Sequence, residues 1–219
     1  MQIMQMTFIG YLLLFPGALL APVIHEYVKA KVSAALGDVT IEKQGLRSFS
    51  IKKFFEPIGF FFMMYFHVGW GRPVQVSPLY YKDKRKGMLL TYLVPVAVNI
   101  LIGLLVLLVW GALRPGLAVW SARQALAGSS LPNFLFPYVE AGIILFARTN
   151  IGLAVFNLLP VHPLAVSKLL PILVSPDAAV RMTYYEKPMQ IIMILMLMLG
   201  FLQMLIFPIR DAIVGLVGF

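Results

Sequence analysis

Apolar residues run in long stretches separated by short polar and basic segments, the pattern of helices that cross a bilayer. The first run goes from Phe8 to Ile24 through Pro16 and Pro22, then keeps helical character through Lys29, Lys31 and Ala35 to Gly37-Asp38. One long, kinked helix is expected, because neighbouring helices in a membrane can satisfy the carbonyls that prolines free. Gly37 to Lys53 is polar and basic, and Val39, Ile41 and Gly45 suggest a short strand or loop at the interface. Phe54 to Trp70 is aromatic and about seventeen residues long, at the lower limit for a span, so it crosses or re-enters. Alternating Val74 and Val76, between Gly71 and Pro78, predict a short hairpin or edge strand.

A basic cluster, Lys82 to Lys86, then precedes the cleanest span, Met88 to Trp110, which carries Pro95 and Asn99 but no charge. Arg114 to Asn133 reads as a connection. Phe134 to Leu159 is another span, with Glu140 near its start and Arg148 in its middle. Pro160 to Pro176 suggests a half-helix, Pro188 to Ile209 a last span, and Ala212 to Phe219 an apolar tail. The positive-inside rule places Lys43 to Lys53 and Lys82 to Lys86 on one side, which favours a re-entrant Phe54 to Trp70. The expected architecture is an all-α polytopic membrane protein: one bundle over residues 1–219, with about five to six membrane segments and a small interfacial β element.

Composition supports that class. The chain of 219 residues is 60% hydrophobic and 12% charged, with a mean hydropathy of +0.88, far outside soluble composition. The bilayer is therefore the expected environment, and a prokaryotic plasma (inner) membrane the expected location. The formal charge of +9 sits mostly in flanks between apolar runs, so it reads as a topology signal and not as a nucleic-acid surface. Absence of cysteine excludes disulfides and thiolate chemistry. Met1 to Thr7 carry no positive charge and the apolar run continues into His25-Glu26, so no cleavable signal is expected.

Candidate chemistry gathers at His25-Glu26-Tyr27-Val28-Lys29. A zinc helix of the H-E-x-x-H type needs two imidazoles one turn apart and a carboxylate to activate the metal-bound water. Here Lys29 stands where the second imidazole would be. Residues three apart share a helix face, so Glu26 and Lys29 can pair, which matters because an unpaired charge in the bilayer costs at least about 2 kcal/mol. Arg148 raises the same issue: it needs an internal partner such as Glu140, Glu56 or Glu26, or else a contact to a partner subunit or lipid headgroup.

The chain resembles the site-2 proteases (peptidase family M50), intramembrane zinc metalloproteases, in their short form. The resemblance runs through His25-Glu26, Leu36-Gly37-Asp38, Glu56-Pro57-Ile58-Gly59, Gly69-Trp70-Gly71-Arg72-Pro73-Val74, Arg85-Lys86-Gly87-Met88 leading to Pro95 and Asn99, and Asn157-Leu158-Leu159-Pro160-Val161-His162-Pro163-Leu164. It implies that His25 matches the first zinc ligand and Glu26 the general base. Lys29 replaces the second ligand, and Ala165, followed by Val166, stands where the family's Leu-Asp-Gly motif supplies an Asp ligand. Glu56 stands for the usual Asp and Val94 for a Gly. Asn99, Asn157 and Pro160 match scaffold or substrate-positioning positions.

Two functions follow as expectations. In the first, the Lys29 ammonium stands in for zinc, the base position Glu26 is vestigial, and the chain needs no cofactor. It then acts as an accessory subunit or a scaffold for transmembrane segments, engaging other membrane proteins by strand addition. The alternative is an active protease whose zinc is held by His25 with His162 or His67, with Glu26 as base.

Overall fold

The computed structural model describes residues 7–219. The expectation for the uncharged start at Met1 to Thr7 therefore lies, apart from Thr7, outside the described residues. Nine α-helices and three short 3-10 turns account for the regular structure of the described residues, and no strand occurs among them. Three helices are long and apolar enough to cross a membrane, or four spans if one bent pair counts as a single crossing. The architecture is thus helical as expected, with three to four such spans where the sequence suggested more.

Helix α1, Phe8–Ala35, starts where the Thr7 hydroxyl accepts the Gly10 N–H, and it runs through Pro16 and Pro22 without ending. It packs against α5, Lys84–Leu126, and α6, Leu131–Asn157, which also pack on each other. Small residues permit the close approach. A Cβ added to Gly17 would lie 3.0 Å from Thr149 Oγ1, and Ala18 and Ala21 of the same face are buried. The opposite side of α5 presents Leu101, Leu105, Leu108 and Val109, all exposed and spaced along one helix stripe, as a lipid-facing surface requires.

Asp83 caps α5 by accepting the Lys86 N–H, and the helix continues through 43 residues, about 65 Å at 1.5 Å per residue. The expected connection from Arg114 is therefore helical as far as Leu126. Its Ala, Leu, Arg and Gln content sustains the helix, and Arg114 forms an ion pair with Glu140 of α6.

Between α1 and α5, the chain forms α2 (Thr40–Lys43), α3 (Ile51–Phe54) and α4 (Pro57–Phe66). The stretch expected as strand or loop at Gly37 to Lys53 thus contains two single helical turns. Its polar anchor is buried Asp38, whose Oδ1 accepts both the N–H (2.9 Å) and the hydroxyl (2.6 Å) of Thr40. At 10 residues, α4 is too short to cross a bilayer. This region is tied to the stretch that precedes α5, where the Gln44 amide donates to the Gln75 carbonyl and Ser77 N–H to Asp38.

Beyond α6, Pro160 to Pro176 contains only the 3-10 turns Val166–Lys168 and Leu170–Ile172, in place of the expected half-helix. Helix α7, Pro176–Tyr184, follows, and then the expected last span proves broken. Helices α8 (Glu186–Met198) and α9 (Phe201–Gly215) meet at 72° around Gly200, whose φ of 82° favours glycine.

Candidate functional site

Helix α1 carries His25, Glu26 and Lys29 into the bundle, where all three are buried. Lys29 Nζ donates to both carboxylate oxygens of Glu26, at 2.7 and 2.8 Å. The pair is one turn apart on one helix, so the face that would present a second imidazole presents an ammonium instead. Tyr92 of α5 lies over the cation, with 5.6 Å between Nζ and the ring centroid.

A third bond to the carboxylate comes from the backbone: Val74 N–H donates to Glu26 Oε2 at 2.8 Å. Residues 67–77 contain no regular helix and no strand apart from His67's left-handed cap to α4. The valine alternation was read as an edge strand, but the chain here has no β ladder. Its N–H groups go elsewhere, Arg72's to the Phe54 carbonyl (2.8 Å) and Val74's to Glu26. Gly71 permits this course, because a Cβ there would stand 2.8 Å from the Pro22 carbonyl oxygen and 3.1 Å from Glu26 Cγ.

His25 faces the other way along the bundle. Its Nδ1 lies 3.0 Å from Asn99 Oδ1, while Asn99 Nδ2 donates to Asn150 Oδ1 (2.9 Å) and to the Ala21 carbonyl (3.3 Å). With the Asn99 amide nitrogen committed as donor, its oxygen must accept, so Nδ1 of His25 carries the hydrogen. The remaining Nε2 is buried and has no partner. Asn150 completes the relay by donating to the Phe146 carbonyl. Asn99 stands alone among apolar residues in the sequence, whereas Asn150 directly follows Arg148-Thr149 and only the fold brings the two amides together.

Glu26, Lys29, Val74, Tyr92, Asn157 and Ala165 line one cavity of about 350 Å³. The two positions read as replaced ligands, Lys29 and Ala165, thus share a wall. Asn157 directs its amide back to the Leu153 carbonyl at 3.0 Å, and exposed Pro160 follows the end of α6. His162 lies near the cavity with Nε2 3.4 Å from Glu186 Oε2, and Lys168 Nζ is 3.2 Å from the same carboxylate. Burial first and Lys168 second hold the His162 imidazole below its ordinary pKa, against the opposing pull of Glu186. His67 stands elsewhere, against Phe207 and among the residues of a different cavity. Arg148 lines that second cavity too, with Asp211 as its acidic neighbour, whereas Glu140 is taken by Arg114.

Can these residues hold zinc? The unpartnered His25 Nε2 suits a first ligand, but Lys29 offers only hydrogens and Ala165 offers no donor atom. Among the described residues no three His, Asp or Glu side chains stand close enough to share a metal ion. The arrangement seen does not fit a three-ligand catalytic zinc.

An all-helical fold with three or four segments long and apolar enough to cross a membrane, packed around a buried ion pair, is compatible with an integral membrane protein. In a comparison with curated proteins, the chain is 30% identical over 166 residues to the "Putative zinc metalloprotease YwhC" of Bacillus subtilis (strain 168), covering 74% of this chain and 69% of that one. This chain belongs to that metalloprotease family. No protein-family model matches the sequence, and no solved structure matches the fold at a significant level.

Proposed function

We propose that this chain is a site-2-protease-type protein (family M50) in which an internal ion pair stands where the metal would be, and that it holds transmembrane segments or serves as a membrane accessory subunit in place of cutting peptide bonds. The observation that carries the reading is the Lys29 ammonium bound to both oxygens of Glu26. A carboxylate occupied in this way has no metal-bound water to activate, and without a metal no hydroxide forms at neutral pH. The cavity beside the pair is walled by Gly71, Pro73, Val74 and Val76, a stretch without helix or strand pairing whose backbone is open to a second extended segment. Binding of that kind requires no metal.

A second reading is favoured by the name of the Bacillus relative: an active zinc protease in which His25, with His162 or His67, holds the metal and Glu26 is the base. It requires side chains that now lie in separate surroundings to converge.

Metal analysis of the purified full chain separates the two. The first reading expects no stoichiometric zinc in the native chain and acquisition of zinc by a Lys29→His/Ala165→Asp variant, because both positions face the same cavity. Zinc in the native chain, together with cleavage of a single-span substrate that Glu26→Gln abolishes, overturns it. Native mass spectra in mild detergent that show only free monomer count against the accessory-subunit role.

A further inference from the structure

The second cavity, of about 700 Å³, shares no lining residue with the first. It lies between α6, the end of α4 and the break between α8 and α9. Its charges do not cancel. Arg210 Nε donates to Asp211 Oδ1 at 2.8 Å and its guanidinium stacks 4.4 Å from the centre of the Phe207 ring. Arg148 Nε is 3.9 Å from the same oxygen, beyond hydrogen-bond reach, and is buried without a partner. One carboxylate thus answers two guanidinium groups. His67, the remaining titratable group on the wall, is held below its ordinary pKa by burial first and by Arg210 second, and an imidazole supplies no negative charge to offset the guanidinium groups.

Two further groups point to a ligand. Gln203 is 2% exposed; its Nε2 donates to the Leu197 carbonyl at 2.9 Å, while its Oε1 has no partner. Gly200 opens helix α9 of 15 residues without a side-chain cap, so the positive end of that helix faces the cavity. At the mouth, Leu199 and Met204 are 71% and 76% exposed, apolar surface continuous with the Leu145, Phe207 and Pro208 side of a cavity that carries the two arginines.

We infer that this cavity binds the headgroup of an anionic phospholipid, with the phosphodiester on Arg148 and Arg210, a headgroup hydroxyl donating to Gln203 Oε1, and the acyl chains leaving past Leu199 and Met204. Guanidinium forks match phosphate oxygens, and a phosphate supplies the charge that Asp211 does not. A hydroxylated headgroup such as phosphoglycerol supplies the donor that a zwitterionic choline headgroup lacks.

Native mass spectrometry of the full chain, with equimolar phosphatidylglycerol and phosphatidylcholine in the detergent, tests this. The native chain is expected to retain one phosphatidylglycerol with about a tenfold preference, and Arg148→Gln/Arg210→Gln to lose that preference. Met204→Trp obstructs the mouth at an exposed position and is expected to lower retention without altering the melting temperature, so the result does not depend on the double variant folding. Millimolar inorganic phosphate is the competing arm. Equal retention of the two lipids by the native chain, or undiminished preference in both variants, overturns the inference. Phosphate bound with no lipid retained overturns the lipid as its source.

Discussion

Replacing Lys29 by Met gives the sharpest test of the buried pair. Each partner's side chain is 9% exposed, and removal of Nζ takes away two of the three hydrogen bonds to Glu26, leaving only Val74 N–H. Orphaning a buried ion by removing its partner costs about 3–5 kcal/mol. Lys29→Met is therefore expected to lose about 3–5 kcal/mol. The Glu26→Gln/Lys29→Met double variant keeps an acceptor for Val74 N–H and buries no charge, so it is expected within about 1 kcal/mol of the native chain. Reversible unfolding in mixed micelles reads both variants. A Lys29→Met loss that is absent, or a double variant as unstable as the single, refutes the reasoning.

Two other outcomes are expected. Burial would raise the Asp38 pKa, but donors from Ser77 N–H, the Thr40 hydroxyl, Ser33 and Thr40 N–H outweigh it and hold the carboxyl below its ordinary value. A depressed folded-state pKa contributes stability above the unfolded value that is lost as pH falls through the folded one. Asp38→Asn should therefore lose about 1.5–3 kcal/mol at neutral pH, with the gap to the native chain closing in acid; equal stability at pH 7 would count against it. Gly69 lies against the backbone of α4, where a Cβ would collide with the Gly59 carbonyl and stand 2.8 Å from Met63 N. Gly69→Ala should cost about 1–3 kcal/mol by overpacking, read as a lower melting temperature, and an unchanged melt would contradict the close approach.

The apolar runs made the helical bundle readable, because length and hydropathy alone decide what can cross a bilayer. The Glu26–Lys29 pairing was readable too, since both residues lie on one helix and their spacing fixes their distance. What sequence did not reveal depended on contacts distant along the chain. Arg148 meets Asp211, which no local pattern links to it. The Val74 and Val76 alternation predicted an edge strand, but whether a segment joins a sheet depends on what accepts its N–H groups, and here a glutamate side chain takes that of Val74. The broken last span carried its signal in Gly200, a single glycine in the middle of a mostly apolar run. Helix α5 runs through Pro115 to Leu126, past the expected end at Trp110, and the ion pair of Arg114 with Glu140 of α6, a contact distant along the chain, lies beside that proline.

The i,i+3 spacing of Glu26 and Lys29 has a consequence for biogenesis. A charge whose partner lies on another helix enters the bilayer alone and waits for that helix to arrive. Here both members belong to α1, so winding the helix brings them together before α5 or α6 has been synthesised. The first segment can thus enter the membrane with its carboxylate already matched, and its insertion owes little to the order in which the later segments follow.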